Sequence, residues 1–265
     1  MYTKSFNYHR PGSLAEAATL FKRSGDARYL AGGQTLIPTM KQRLAAPADV
    51  IDLGGLADLA FIRVAGGMLT IGAGTRHADV STSPEVQRAI PALAQLASMI
   101  GDPAVRHRGT IGGSVANNDP GADYPAAVLG LGAMVKTTER EIAADDFFTG
   151  MFSTALNDGE IVTEIAFPVP EKAGYAKFPN PASRYATVGV FVAKTKSGVR
   201  AAVTGAGPCV FRVPEMEAAL ARNFSADAIS GIRVPADGLN SDIHASAEYR
   251  AHLIGVMAKR AIAAA

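Results

Sequence analysis

The hydrophobic positions in the N-terminal part of the chain follow two periods in turn. Ser13 and Glu16 form a capping box at the start of a stretch with helical spacing, and Gly25 supplies its end. Short apolar runs then predict strands over 28–31 and 50–53, with a helix over 35–44 between them. This order of elements predicts a small unit in which helices cover a sheet.

The middle of the chain repeats this mixture of periods. Residues 61–64 and 68–71 flank a diglycine and predict a β-hairpin. The apolar spacing over 84–100 predicts a long helix that Pro91 can divide. Residues 101–123 hold five glycines and two prolines with little periodicity, which is typical of a long loop in contact with a ligand. After that loop, the sequence predicts a helix over 124–131 and strands over 133–137 and 161–167.

The C-terminal part begins with a boundary signal, Pro168-Val-Pro170 followed by residues up to Gly174. We therefore expect two domains, 1–170 and 171–265. Strand-like patterns over 186–193 and 199–204 precede helical patterns over 214–221 and 246–263. Strands followed by helices indicate an α+β domain.

Composition narrows the possible functions of these 265 residues. A net charge of +2 gives no basic arm for nucleic acid. Cys209 is the single cysteine, so the chain cannot form a disulfide, a zinc–cysteine site or an iron–sulfur cluster by itself. The N-terminus lacks the apolar segment of a signal peptide, and no apolar run is long enough to span a membrane. We expect a cytoplasmic protein without stable membrane insertion, and any metal redox chemistry would belong to another chain.

The first candidate site is the segment 30–38, where a strand leads into Gly32-Gly33 and then a helix. Glycines let a phosphate approach the backbone, and the first N–H groups of a helix are free donors for an anion. Gln34 and Thr35 can add side-chain donors. The alternative is a strand–turn–helix whose glycines serve only the turn.

The second candidate site repeats this pattern at Gly112-Gly113, between Thr110 and Ser114. Two such loops can share the charges of a diphosphate between backbone donors, and Asp119 or Asp123 can accept sugar hydroxyls. The alternative is a structural loop in which Asp123 caps the next helix. Because two loops of one pattern occur together, a dinucleotide site is favoured.

Other motifs do not indicate a site. Gly72-Ala-Gly74 begins like a Rossmann fingerprint, but His77 stands at its last position. The five histidines are scattered without metal-ligand spacing, and no G-x-S-x-G nucleophile motif occurs. The sequence therefore predicts neither a catalytic side chain nor a metal site.

Four segments, 31–38, 110–123, 177–186 and 241–253, resemble motifs of one family in the same order. It is the FAD-binding medium subunit of molybdenum hydroxylases, which includes aerobic carbon monoxide dehydrogenase and xanthine dehydrogenase. The resemblance covers nearly the whole chain. It implies a PCMH-like FAD-binding domain of the vanillyl-alcohol-oxidase type with two subdomains, followed by a smaller α+β domain.

The resemblance also implies the residues that contact FAD. The first loop would hold one side of the diphosphate and the second loop the other, Asp123 would bind a hydroxyl, and apolar residues and a lysine would contact the cofactor. The residues are Leu30, Ala31, Gly32, Gly33, Gln34, Thr35, Leu36, Ile37, Ile100, Thr110, Ile111, Gly112, Gly113, Ser114, Asp119, Asp123, Ile161, Val162 and Lys177. A further hypothesis is that Arg106 or Arg108 offsets negative charge of the cofactor, the alternative being a solvated arginine.

In that family a large molybdopterin subunit oxidises the substrate, and electrons pass through two [2Fe–2S] clusters of a small subunit to the FAD. The resemblance implies the same role here, in a heterotrimer or a dimer of heterotrimers. Two other functions stay open: a stand-alone flavin oxidase or dehydrogenase, and a non-catalytic nucleotide-binding module. The substrate, which can be carbon monoxide, an aldehyde, a purine or an N-heterocycle, and the electron acceptor are not determined by this sequence.

Overall fold

Three β-sheets organise the part of the chain that the computed structural model describes, residues 2–265. The first is a parallel three-stranded sheet in the order β1-β3-β2, covered by α1. Ser13 caps α1 by accepting from the Glu16 amide at 3.2 Å, while the Glu16 carboxylate accepts from the Gly12 amide, so the predicted capping box forms with a shift of one residue. The elements are β1 (Asn7–His9), α1 (Leu14–Arg23), β2 (Ala27–Leu30), α2 (Leu36–Lys41) and β3 (Asp49–Asp52).

The second sheet is antiparallel, in the order β4-β5-β10-β6-β7. Two short 3₁₀ turns, Leu53–Gly55 and Ala57–Leu59, lead into it. Its strands are β4 (Ile62–Ala65), β5 (Met68–Gly72), β6 (Met134–Thr137), β7 (Glu141–Ala143) and β10 (Val162–Pro168), and a hairpin forms from β8 (Phe148–Gly150) and β9 (Ser153–Thr154). Its helices are α3 (His77–Thr82), α4 (Pro84–Ala89), α5 (Pro91–Ser98), α6 (Pro103–Arg106), α7 (Ile111–Asn117), α8 (Tyr124–Leu131) and α9 (Ala144–Phe147).

The third sheet is antiparallel and runs in the order β11-β12-β13-β14. Alternate residues of β12 belong to different cores: Val190 packs with α10 and α11, whereas Phe191 packs on the side of α8. This sheet is therefore buried on both faces. The elements are β11 (Lys172–Pro179), β12 (Ala186–Thr195), β13 (Gly198–Thr204), β14 (Phe211–Arg212), α10 (Pro214–Arg222), a 3₁₀ turn (Ala226–Ile229) and α11 (Ala247–Ala263).

Helix α8 packs between the second and third sheets. All of its residues are buried, as its unbroken apolar sequence requires, because a helix without a polar face must be covered on every side. Within the described residues, no helix has both the length and the apolar character needed to cross a bilayer.

Most predicted elements are confirmed, including the hairpin of β4 and β5, the strands β12 and β13 and the closing helix α11. The mixture of segregated helices and strands confirms the α+β class. The predicted helix over 84–100 is divided, because Pro91 begins a new helix after Ile90 leaves helical geometry.

One prediction about local structure is wrong, and one long strand was missed. The region 101–123 is not one long loop, since α6 and α7 form within it, capped by the side chains of Asp102 and Thr110. Strand β11 was not predicted. Gly174 interrupts its apolar pattern, and it lies there because α11 approaches so closely that a side chain would collide with the Ala261 carbonyl group.

Candidate functional site

The two diglycine loops lie on a single cavity of about 1360 Å³. Pockets for drug-sized ligands occupy about 300–1,000 Å³, so this cavity is large enough for a dinucleotide. Residues 30–36 form part of its wall, and Thr110, Gly112, Gly113 and Ser114 form another part. The structure thus brings together two segments that are about 80 residues apart in the sequence.

The first loop continues β2 and passes directly against the second. A Cβ atom on Gly32 would lie 2.6 Å from the Gly109 Cα atom and 2.8 Å from the Arg108 carbonyl carbon. Gly33 has a φ of +73°, a conformation that favours glycine. Within residues 2–265, no side chain caps the start of α2 at Thr35. The Ile37 amide donates to the Gly33 carbonyl oxygen at 3.2 Å, and Pro38 has no amide hydrogen. The amides available to a ligand on the cavity side are therefore those of the loop itself, from Gly33 to Leu36.

The second loop offers a different set of donors. The Ile111 amide donates to the Thr75 carbonyl oxygen at 3.0 Å, and the Gly112 amide donates to that of Ala73 at 2.9 Å. The Gly113 amide donates to the Thr110 hydroxyl oxygen at 3.2 Å. These three amides already have acceptors within the protein, and the sharing of a diphosphate between the two loops stays a prediction. The hydroxyl groups of Thr110 and Ser114 are the donors that remain on this wall.

A third segment, residues 73–79, supports the second loop and was not predicted as part of the site. Gly74 and His77 line the cavity, and the His77 amide donates to the Gly109 carbonyl oxygen at 3.0 Å. The His77 side chain is only 4% exposed, and burial lowers its pKa to about 4, so the imidazole is neutral near pH 7. The glycines of Gly72-Ala-Gly74 have a packing role: a Cβ atom on Gly74 would lie 3.1 Å from the Leu59 carbonyl oxygen.

Asp119 and Asp123 both line the cavity. The Asp119 carboxylate accepts from the Gly121 amide at 2.9 Å, and burial raises the pKa of Asp119. Asp123 is 4% exposed, and its carboxylate accepts from the Tyr175 hydroxyl at 2.5 Å and lies 2.9 Å from the Lys177 ammonium nitrogen. Burial raises the pKa of Asp123, and the two partners oppose that shift by stabilising the carboxylate.

The alternative role of Asp123 as a helix cap is wrong, because in the described structure its side chain accepts no hydrogen bond from the first turn of α8. Its partners instead come from β11, far along the chain. A carboxylate that is held by a phenol and an ammonium group still has lone pairs for a ligand hydroxyl.

Three of the expected cofactor contacts do not line the cavity. Lys177 donates to Asp123 and to the carbonyl oxygens of Met99 and Arg184, so all three of its donors already have acceptors within the protein. Ile111 is fully buried in the core behind the second loop, because its side chain points away from the cavity. Ile37 is the second residue of α2, and its side chain is exposed outside the cavity wall.

The remaining apolar candidates, Ile100, Ile161 and Val162, do line the cavity. Of the two arginines considered for charge compensation, Arg108 lines it, whereas Arg106 donates to the Ile100 and Gly101 carbonyl oxygens. Sequence reasoning missed several other wall residues, whose positions depend on folding of distant segments. These are Arg10, Arg28, Tyr29, Thr39, residues 52–57, Leu59, Ala60, Gly101, Val105, Ala116, Ala122, Phe152, Glu160 and residues 183–185.

The residues present fit an FAD molecule. A side chain at Gly32 would fill the place where the two loops meet. Amides of the first loop and hydroxyls of the second lie on the same cavity. Two carboxylates on its wall can accept hydrogen bonds from sugar hydroxyls. Anions bind well where backbone amides converge.

Comparison with known proteins agrees with this geometry. Residues 4–170 match the family described as the FAD binding domain in molybdopterin dehydrogenase. The carbon monoxide dehydrogenase medium chain of Hydrogenophaga pseudoflava is 37% identical, with 100% of this chain and 98% of that protein covered. The nicotine 6-hydroxylase medium subunit of Paenarthrobacter nicotinovorans is 35% identical, with coverage of 99% and 98%.

Solved structures give the same result for the fold. Reconstituted CO dehydrogenase from Oligotropha carboxidovorans superposes with a TM-score of 0.92 at 36% identity, covering 100% of this chain and 99% of the other. Quinoline 2-oxidoreductase from Pseudomonas putida 86 superposes with a TM-score of 0.89 at 28% identity, with coverage of 99% and 97%.

Proposed function

The chain belongs to the family of FAD-binding domains in molybdopterin dehydrogenases, as the medium subunit, and from this membership we propose how it works within its enzyme. Electrons arrive from [2Fe–2S] clusters of a small partner subunit and leave to an external acceptor. The observation that carries the proposal is the meeting of two glycine loops at Gly32 on a cavity of dinucleotide size.

The chain's own task is to bind and orient the cofactor. We assign one side of the diphosphate to the free amides of the first loop, including Gly33 and Gln34, and the other side to the hydroxyls of Thr110 and Ser114. Charge-assisted hydrogen bonds to phosphate are about twice as strong as neutral ones, so a few of them suffice to fix the cofactor.

The Asp123 carboxylate helps to fix the orientation of the cofactor along the cavity. Because Tyr175 and Lys177 hold Asp123 in one position, its free lone pairs can accept a hydroxyl of FAD from only one direction. Ile100, Ile161 and Val162 keep water from parts of the wall. When bound, FAD supplies the electron-carrying chemistry, which no side chain of this protein provides.

The partners and the domain boundary follow from the same proposal. We place the molybdopterin centre on a large subunit and the clusters on a small subunit, in a heterotrimer or a dimer of heterotrimers in the cytoplasm. The single cysteine supports this division, because a [2Fe–2S] cluster needs four protein ligands. We place the domain boundary between the end of β10 at Pro168 and the start of β11 at Lys172, which gives domains 1–170 and 171–265.

The substrate is chosen elsewhere in the enzyme. Similar medium subunits belong to enzymes that are named for different substrates: carbon monoxide, nicotine and glyceraldehyde. We infer that the substrate pocket lies on the large subunit, and that this chain serves the common step of electron transfer.

Replacement of both Thr110 and Ser114 by alanine tests the assignment. A hydrogen bond to a charged group contributes about 1.5–3 kcal/mol, so we expect FAD affinity to fall by at least about tenfold, measured by flavin fluorescence during reconstitution. Ser230→Ala, in the C-terminal part and outside the cavity wall, is the control. Wild-type protein that takes up no FAD would contradict the cofactor assignment. Substrate turnover with a dye by this chain alone would contradict its role as a subunit.

A further inference from the structure

The turn that carries Asp119 and Asp123 is held by the C-terminal sheet. The Gly205 amide donates to the Pro120 carbonyl oxygen at 2.8 Å, and the Ala186 amide donates to that of Gly121 at 3.1 Å. The Thr204 hydroxyl, in a side chain that is 1% exposed, donates to the Ala122 carbonyl oxygen at 2.6 Å. The position of the two carboxylates on the cavity wall therefore depends on the position of the start of β12 and the end of β13.

Arg250 of α11 binds the backbone at both of these strand ends. Its side chain is 4% exposed, and one guanidinium nitrogen, Nη1, donates to the carbonyl oxygens of Thr187 at 2.7 Å and of Gly205 at 3.0 Å. Gly205 has a φ of +81°, and a Cβ atom there would lie 2.8 Å from the Thr187 oxygen. The guanidinium group thus sets the separation of two backbone segments that also hold the 119–123 turn.

Asp242 orients that guanidinium group. Its Oδ2 atom accepts from Arg250 Nη2 at 2.7 Å, and its Oδ1 atom accepts from the His244 and Ala245 amides at 2.8 and 3.0 Å. Asp242 and Arg250 both belong to the segment 241–253, which stands outside the cavity wall. The cofactor contacts described above leave this sequence motif without a role.

Stability alone is a weak reason for a buried arginine here. The Arg250 Nε atom is buried and, in the described structure, has no hydrogen-bond partner. An unpaired buried donor costs free energy, and well-packed apolar replacements of buried charged groups are often neutral or stabilising. What an apolar residue cannot do is bind two carbonyl oxygens with one planar group.

We propose that Arg250, oriented by Asp242, is a positioning residue of the FAD site that acts through the ends of β12 and β13. By fixing Thr187 and Gly205, it fixes the donors that hold the Asp119–Asp123 turn against the cavity. This inference rests on the proposed function, because it takes FAD to be the occupant of that cavity. Arg250 itself does not line the cavity.

The test compares Arg250→Met with a matched control in the same sheet. Arg212 forms an ion pair of 2.6 Å with Glu217, which also accepts from the Ala201 amide of β13, but Arg212 has no bond to the 119–123 turn. Arg212→Met therefore removes an arginine that pairs with a buried carboxylate of the same domain, although it is itself more exposed than Arg250, without disturbing that turn. The full chain, co-expressed with its partner subunits, is stripped of FAD and reconstituted. The FAD dissociation constant, the visible circular dichroism of the bound flavin and the Tm are measured.

We expect Arg250→Met to weaken FAD binding by about tenfold, within the range of known couplings between sites, and to change the visible circular dichroism. We expect Arg212→Met to lower the Tm as much or more with FAD binding and circular dichroism unchanged. Arg250→Lys should restore part of the affinity, because an ammonium group can reach one of the two carbonyl oxygens. Adding Asp242→Asn to Arg250→Met should not weaken FAD binding further, since Asp242 acts on the FAD site through Arg250.

Equal FAD affinity and equal spectra in Arg250→Met and Arg212→Met would overturn the inference. If Arg250→Met does not fold, Asp242→Asn decides, because half-exposed Asp242 can be replaced without opening the core. Unchanged FAD binding in that variant would also overturn it. Wild-type protein that takes up no FAD would refute the proposed function and this inference together, whereas wild-type binding with unaffected variants would refute the inference alone.

Discussion

A methyl group on Gly32 tests whether the contact between the two loops forms the cofactor site. Gly32→Ala would place Cβ 2.6 Å from Gly109 Cα and 2.8 Å from the Arg108 carbonyl carbon. Both neighbours are backbone atoms, so no side-chain rotation can relieve the collision. The loops must move apart by about 1 Å to reach an ordinary carbon–carbon contact distance.

The size of the effect follows from this displacement. Overpacking of a close contact costs about 1–3 kcal/mol of folding free energy. The free amides of the first loop and the hydroxyls of the second would no longer face one diphosphate at hydrogen-bonding distance. Loss of one or two charge-assisted hydrogen bonds, at about 1.5–3 kcal/mol each, corresponds to a decrease in FAD affinity of at least about tenfold.

The assay is reconstitution of FAD-free enzyme, followed by flavin fluorescence, with thermal unfolding measured in parallel. Gly25→Ala is the matched control, because Gly25 lies just before β2, has ordinary φ and has no atom within 4 Å of the added Cβ. We expect its FAD affinity to equal that of the wild type. If Gly32→Ala also binds FAD with wild-type affinity, the two loops do not jointly hold the diphosphate.

Two further predictions concern buried titratable groups. Lys177→Met should lower the free energy of unfolding by about 3–5 kcal/mol in urea denaturation, because it leaves the Asp123 carboxylate buried without its cation. Adding Asp123→Asn should recover part of that loss. An unchanged urea midpoint in Lys177→Met would refute this reasoning. His77 has a folded-state pKa of about 4, below its ordinary value of 6.5, so the unfolded chain binds a proton that the folded chain lacks between these pH values. The contribution of His77 to the free energy of unfolding should therefore fall by up to about 3 kcal/mol as pH drops from 6.5 to 4. In urea denaturation at each pH, wild type should lose more stability over this range than His77→Phe, and exposed His252→Phe should behave like wild type. Equal pH slopes in all three proteins would show that His77 does not have a lowered pKa in the folded state.

The local chemistry of the sequence predicted the regular elements and the identity of the two loops. The turn between β4 and β5, the cap at Ser13 and the apolar stripe of α11 depend on residues within one or two turns of each other, so their structure can be deduced without a partner. The same holds for the diglycine loops, since glycine is needed wherever the backbone approaches another group closely.

Only the tertiary structure decided which polar groups of those loops remain free. The amides of Ile111 and Gly112 are used by carbonyl oxygens of residues 73 and 75, and Lys177 is used by three oxygens from separate segments. Donors and acceptors are paired across the folded chain, so the sequence shows that a group exists but not whether it is already satisfied. For the same reason, the sequence could not predict that Arg250 is linked to the 119–123 turn, because the link runs through two strand ends that only folding brings together.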